Sequence, residues 1–169
     1  LALTAGNDIN VRTTTSSTQG LLSNATQIDR IAGLYVSNPN GILVASAGND
    51  VNVIGGILAN TGEGSRTLVN AGRNINLETV TESSARTAIT DSRNFYTESR
   101  SQEIGSQIVG GGAITLNATN DINARAAGVA AQGTLAVVAG NDVNISEGRA
   151  TSSTGFASYQ EKKSTFSKS

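Results

Sequence analysis

Cysteine, histidine, methionine and tryptophan are all absent from the 169 residues. Without Cys or His, the thiolate and imidazole metal sites, cysteine nucleophiles and histidine-based triads are excluded. No disulfide can brace the fold, and a chain free of thiols suits extended secreted proteins that cross membranes unfolded. Neither sign of charge dominates: 12 basic and 13 acidic residues leave a net −1, so there is no basic patch to attract nucleic acid. No apolar run approaches the ~18 residues of a membrane span. No secretion leader is expected within this stretch, since Leu1 opens directly into an alternating strand pattern. The sequence thus reads as an internal stretch of a longer array, whose cut ends expose strand edges.

What is present is a repeat. Ala5-Gly6-Asn7-Asp8-Ile9-Asn10 returns as Ala47-Gly48-Asn49-Asp50-Val51-Asn52, Ala71-Gly72-Arg73-Asn74-Ile75-Asn76, Ala118-Thr119-Asn120-Asp121-Ile122-Asn123 and Ala139-Gly140-Asn141-Asp142-Val143-Asn144. The marker position (Gly, once Thr119) steps by 42, 24, 47 and 21 residues. Each long step is about twice a short one. This predicts a unit of about 21–24 residues with two decayed coils, one marked by Ala25-Thr26-Gln27-Ile28 and one near residue 95.

Apolar residues alternate on both sides of every marker, as in Leu43/Ala45 before it and Val51/Val53 after it. Period two across a Gly-Asn-Asp break reads as strand, turn, strand, with Gly and Asn supplying left-handed backbone at the corner. Gly33-Leu34-Tyr35-Val36, Gly56-Ile57-Leu58-Ala59 and Gly128-Val129-Ala130-Ala131 supply a third strand. A single turn of this kind cannot bury its apolar face, whereas stacked turns can. The expectation is an all-β parallel β-helix (β-solenoid) of about seven coils, roughly 35 Å long at one strand spacing per coil. A β-sandwich would not place one string at one corner five times, and Val, Ile, Thr and Asn argue against helical repeats.

Three polar stretches leave the pattern at one phase of the coil: Arg12 to Gly20, Glu78 to Glu103 and Ser146 to Ser169. The last two hold five of the six aromatics, Phe95, Tyr96, Phe156, Tyr159 and Phe166. Residues 1–145 therefore read as the β-helix, with residues 78–103 a two-stranded polar excursion bending near Asp91-Ser92-Arg93-Asn94. Residues 146–169 read as a polar extension or the first half of another excursion, partly disordered without a return strand. Phe95, Tyr96, Arg93 and Arg100 form the candidate binding surface, able to stack on and hydrogen-bond a glycan. The plain alternative is a solvated hairpin packing Phe95 and Tyr96 on the solenoid wall.

Asn10, Asn52, Asn76, Asn123 and Asn144 share one position, which predicts an amide ladder along the rod. Asp8, Asp50, Asp121 and Asp142 share another. Stacked carboxylates suit Ca²⁺, but the Gly-Gly-x-Gly-x-Asp calcium repeat is absent, so no metal and no cofactor is expected. Four recurring Asp residues at one corner are what scaffolding requires. A catalytic group would be unique and sit in a cleft, so no enzyme activity is expected.

The Ala-Gly-Asn-Asp-Ile/Val-Asn strings resemble haemagglutinin repeats, found in filamentous haemagglutinin and in the effectors of contact-dependent growth inhibition. The run Glu78-Thr79-Val80-Thr81-Glu82-Ser83, Gly105-Ser106-Gln107-Ile108, Gly111-Gly112, Ile114-Thr115-Leu116 and the tail Tyr159-Gln160-Glu161-Lys162-Lys163-Ser164 are similar to the second repeat class of those proteins. Arg73 and Thr119 depart from the consensus turn and are expected to weaken the ladder locally. The resemblance implies a right-handed β-helix secreted by a Gram-negative bacterium through an outer-membrane two-partner secretion transporter. It implies a surface filament that serves adhesion or carries a toxin domain, with a host or neighbouring cell surface as partner. It carries over no catalytic residue.

Overall fold

The computed structural model describes residues 1–161; Phe166 and the Lys162-Lys163-Ser164 part of the tail lie outside the described residues. The described chain is a stack of five coils, not seven. Coil 1 consists of β1 (Ala2–Ala5), β2 (Ile9–Arg12) and β5 (Gly33–Val36). Coil 2 follows with β6 (Ile42–Ala47), β7 (Val51–Ile54) and β8 (Ile57–Asn60). Coil 3 has β9 (Arg66–Ala71), β10 (Ile75–Glu78) and β13 (Gln107–Gly110), and coil 4 has β14 (Ala113–Ala118), β15 (Ile122–Arg125) and β16 (Gly128–Ala131). Coil 5 contributes β17 (Leu135–Ala139) and β18 (Val143–Ser146). Like strands pair in parallel from coil to coil, giving the three walls of a parallel β-helix.

The long marker steps are not missing coils. Each holds one coil plus a hairpin that leaves the rod: β3 (Thr14–Gln19) with β4 (Ser23–Arg30), and β11 (Val80–Asp91) with β12 (Asn94–Ile104). Residues around Thr26 and Phe95 therefore belong to excursions, and the first excursion runs on to Arg30 instead of ending at Gly20. The extension past Ser146 starts a third: β19 (Ala150–Ala157) is an ordered strand paired along β12, so the expected disorder does not hold for those residues. All five excursion strands join one antiparallel sheet, in the order β19-β12-β11-β4-β3.

Geometry explains why only coils 1, 3 and 5 carry excursions. A hairpin is two strands wide, and each coil rises by one strand spacing of ~4.8 Å. A hairpin from every second coil fits edge to edge with the next, whereas hairpins from successive coils would collide. The same corner shows the alternation. Coil 2 turns through Gly55 (φ 57) and coil 4 through Ala126 (φ 48), while the odd coils exit there. Buried hydroxyls close the necks: Thr13 Oγ1 donates to Gly55 O at 2.6 Å and accepts Ala32 N–H at 3.1 Å. Ser106 Oγ lies 2.6 Å from Val53 O and 2.8 Å from Glu78 O.

Inward residues of the three walls make a continuous core of Val51, Val53, Leu58, Val69, Ile75, Leu77, Ile108, Ile114, Leu116 and Ile122, all buried. Alternation along each strand decides which side chains enter, and the small residues Ala47, Ala71 and Ala118 stack at the corner before the marker. Five rungs, four rises of ~4.8 Å, give a rod of about 20 Å.

The marker glycines do not adopt the left-handed backbone expected of them; among the described residues the positive φ values fall at Asn40, Ala126, Gly55 and Gly64. At Gly48, Gly72 and Gly140 the corners stack too closely for a side chain as the backbone lies, although Thr119 fills the same position in coil 4. A Cβ on Gly48 would lie 2.0 Å from Gly6 O, one on Gly72 2.0 Å from Gly48 O, and one on Gly140 2.0 Å from Thr119 O. Gly6, beneath which no coil lies among the described residues, meets nothing within 4 Å. Gly72→Ala should therefore cost about 1–3 kcal/mol in urea unfolding, as overpacking against backbone does, while Gly6→Ala stays within about 0.5 kcal/mol of the parent. Equal losses at both positions would refute the close-approach explanation.

Candidate functional site

Two surfaces carry the polar chemistry: the marker corner with its adjoining strands, and the excursion sheet. At the first, the five asparagines point outward from β2, β7, β10, β15 and β18, opposite apolar side chains that are buried in β2, β7 and β10 and exposed in the last coil. Their amides form one chain of hydrogen bonds. Asn52 Nδ2 donates to Asn10 Oδ1 at 3.0 Å, Asn76 to Asn52 at 2.7 Å, Asn123 to Asn76 at 2.9 Å and Asn144 to Asn123 at 3.0 Å. The sequence pointed to these five residues; their place on the outer face of a wall required the structure.

A second row runs beside it. Asp8 Oδ1 accepts Asp50 N–H at 3.1 Å, Asp50 Oδ1 accepts Asn74 N–H at 3.0 Å, Asn74 Oδ1 accepts Asp121 N–H at 3.2 Å and Asp121 Oδ1 accepts Asp142 N–H at 3.1 Å. The position needs an acceptor oxygen rather than a charge, which is why Asn74 serves among aspartates. Among the described residues no three acidic side chains converge as a metal cluster would.

Arg73 does not weaken the ladder. Its Nε donates to Asp50 Oδ1 at 3.0 Å and its Nη2 bonds Asp50 Oδ2. This downward contact replaces the one made by Asn120 to Asn74 and by Asn141 to Asp121. The Asn76–Asn52 step beside it is the shortest of the four. Thr119 likewise leaves the Asn123–Asn76 bond intact at 2.9 Å.

The excursion sheet does not assemble the predicted binding surface. Alternation along β12 turns Tyr96, Glu98, Arg100 and Gln102 to one face and Phe95, Thr97, Ser99 and Ser101 to the other. Tyr96 Oη donates to Glu98 Oε2 at 3.3 Å, and Arg100 pairs with Glu98 at 2.8 Å. Phe95 stands on the opposite face, across from Ile89 and Ala157. Arg93 lies in the turn, its guanidinium 4.7 Å from the centre of the Tyr159 ring. Neither aromatic folds back on the solenoid wall, because each is paired on both sides within the sheet. Four positions 93–100 thus serve three separate surfaces, for adjacent strand residues face opposite ways.

The Phe95 face is rich in hydroxyls. One row crossing all five strands reads Ser17, Thr26, Ser83, Ser101 and Thr151. At the same level of the sheet a shallow groove is lined by residues of the opposite, Tyr96 face, among them Glu82, Arg100, Gln102 and Ser152.

Sequence reading missed two carboxylates that splice the hairpins together. Glu82 accepts Ile28 N–H at 3.0 Å where the β11–β4 pairing stops. Glu103 accepts Arg149 N–H at 2.8 Å where the β12–β19 pairing stops, and it takes Arg125 through Nε and Nη2 at 3.1 and 2.8 Å. The Arg125 guanidinium, with the Arg149 N–H, holds the Glu103 carboxyl below its ordinary range. The Arg73 hydrogen bonds do the same to Asp50, against the opposing effect of burial. The signal was faint: isolated Glu residues in a Ser/Thr run resemble solvated charges.

Residues 87–168 match the family model described as Hemagglutinin repeat, so that stretch of the chain is similar to haemagglutinin repeats. No curated protein and no solved structure matches the chain.

Two outcomes test the corner. Asn76→Ala removes two ladder bonds and should cost about 1–2 kcal/mol, against about half that for Asn10→Ala, which removes one; chemical unfolding of both variants measures the difference. Asp50 and Glu103 titrate lower folded than unfolded. Their contribution is therefore full above the unfolded value and lost as pH falls through the folded one. Stability should drop below about pH 4, and Arg73→Met should make that acid limb shallower; an unchanged limb would remove the ion pair from the account.

Proposed function

Proceeding from the chain's similarity to haemagglutinin repeats, we propose that it is a structural stalk segment of a secreted or cell-surface exoprotein that acts in adhesion. The observation that carries this reading is the use of the recurring polar residues. The Asn and Asp rows of the marker corner are spent on bonds to the coil above or below. Such a rod extends by adding coils, each burying its apolar strands against the last. The finer reading places the parent protein in a Gram-negative two-partner secretion system, exported through an outer-membrane β-barrel, with the filament presenting an adhesin or a toxin domain to a host or neighbouring cell. Folding coil on coil outside the membrane would favour export. Absence of thiols agrees with that route. Among the described residues no helix is long and apolar enough to cross a membrane.

No catalytic role is proposed, since the aspartates that recur are occupied at the corner. A second reading, in which the excursion sheet itself recognises a glycan or another cell-surface molecule, is favoured by the exposed aromatics and the hydroxyl row on one side of it. Deleting residues 78–103 would not separate the two readings, because that hairpin joins the first excursion to the third. Point substitutions do. Labelled chain is titrated on whole bacterial and epithelial cells beside Phe95→Ala and Tyr96→Ala, with folding checked by unfolding midpoint. A stalk segment binds neither cell type saturably. Saturable binding lost with Phe95 or with Tyr96 would assign recognition to the corresponding face and overturn the passive stalk.

A further inference from the structure

The first two hairpins differ in length, and the difference leaves a notch. Pairing between β11 and β4 runs from Ser83–Thr26 to Arg86–Ser23, and Thr87 N–H reaches Leu22 O at 2.8 Å. There hairpin β3–β4 turns back through residues 20–22, while β11 continues to Asp91. In an antiparallel sheet alternate residues turn their N–H and C=O to the same edge. Thr87 C=O and both backbone groups of Ile89 therefore point past the short hairpin, where among the described residues no strand pairs with them. This gap lies inside the sheet, between two excursions already present, so further coils at either end of the rod would leave it open.

Three exposed aliphatic side chains gather at this edge, in a sheet made mostly of Ser, Thr and charged residues. Leu21 is 100% exposed and Leu22 45%, and Ile89 on the open strand is 56% exposed. A cavity of about 280 Å³ lies at the same place, lined by Gln19, Leu21, Leu22, Asn24, Ala85 and Thr87. Soluble sheets guard open edges with Lys, Pro or covering segments, and Thr87-Ala88-Ile89-Thr90 contains neither Lys nor Pro. We propose that this notch is a docking site for an extended, uncharged polypeptide strand from a partner protein, which adds to the β11 edge. Its backbone pairs with Thr87 and Ile89, and one apolar side chain enters the cavity between Leu21, Leu22 and Ala85. Edge addition is the way this sheet already grows, since its hairpins join through backbone pairing between separate excursions. Alternating side chains give such a strand its specificity.

The test uses the whole 169-residue chain and a fluorescent capped peptide of alternating Thr and Val, with a Pro-interrupted version as control. Saturable anisotropy binding of the alternating peptide, together with slowed hydrogen exchange at the Ile89 amide, is expected. Ile89→Pro removes the edge donor at a position where an edge strand tolerates Pro, and should weaken binding by about tenfold or more. Leu21→Ser with Leu22→Ser, which leaves every strand intact, should weaken it similarly. The proposal is overturned if the alternating peptide does not bind, binds no better than its Pro-interrupted control, or binds both variants as well as the parent. Self-association lost in Ile89→Pro, without peptide binding, would assign the edge to a second copy and overturn it too. Cell binding, which tests the stalk reading, is scored separately and does not depend on these variants.

Discussion

Every coil of this protein lies one strand spacing, ~4.8 Å, above the one before it, and the backbones at the marker corner approach so closely that a Cβ would land 2.0 Å from a carbonyl oxygen. That spacing governs the rest. It brings the amide of each Asn within reach of its equivalent in the next coil, and it sets each Asp or Asn oxygen under the N–H of the next corner. A looser stack would leave both rows without partners, and buried walls without parallel pairing would expose their apolar strands. The polar rows and the Val/Ile core thus depend on one distance.

The same distance organises the excursions. A hairpin occupies two strand widths, so a rod rising one width per coil accepts a hairpin from alternate coils. The excursions then merge into a second sheet, antiparallel where the walls are parallel. This sheet has no buried core on either face; its strands are held by backbone pairing, by the carboxylates of Glu82 and Glu103 at the seams, and by hydroxyls at the necks. Because side chains alternate between two accessible faces, each hairpin offers two chemically different surfaces. Phe95 belongs to the hydroxyl-rich one, and Tyr96 to the charged one bearing Glu98 and Arg100.

The corner tolerates change where a substitute performs the same bond. Asn74 replaces an aspartate because the row asks for an acceptor. Arg73 replaces an asparagine because its guanidinium still reaches down to Asp50. Ala126 stands where Gly55 stands two coils earlier, held left-handed at a cost of about 1–2 kcal/mol by a corner that must turn tightly in any coil without an excursion. Variation in the repeat is therefore constrained by geometry more than by residue identity.

The five copies of Ala-Gly-Asn-Asp-Ile/Val-Asn and their alternating flanks were sufficient to determine a stacked parallel β-helix, its three walls, and the five asparagines that share a position. Local patterns carry that information, since period two and a recurring string are properties of neighbouring residues. The number of coils was not determined, because a marker step of 42 or 47 residues reads equally as two coils or as one coil and a hairpin. Only pairing between residues far apart in the chain, Thr26 with Ser83 and Ser101 with Thr151, distinguishes them. The reason for the marker glycine was likewise hidden. It lies in a carbonyl of the preceding coil, not in the dihedral preference of the residue itself. The tertiary structure alone decided how Phe95, Tyr96, Arg93 and Arg100 divide among separate surfaces, and where a short hairpin beside a long one leaves β11 unpaired. Both follow from strand register, which hairpin length and neighbouring strands set together and which polar, two-faced strands specify only weakly on their own.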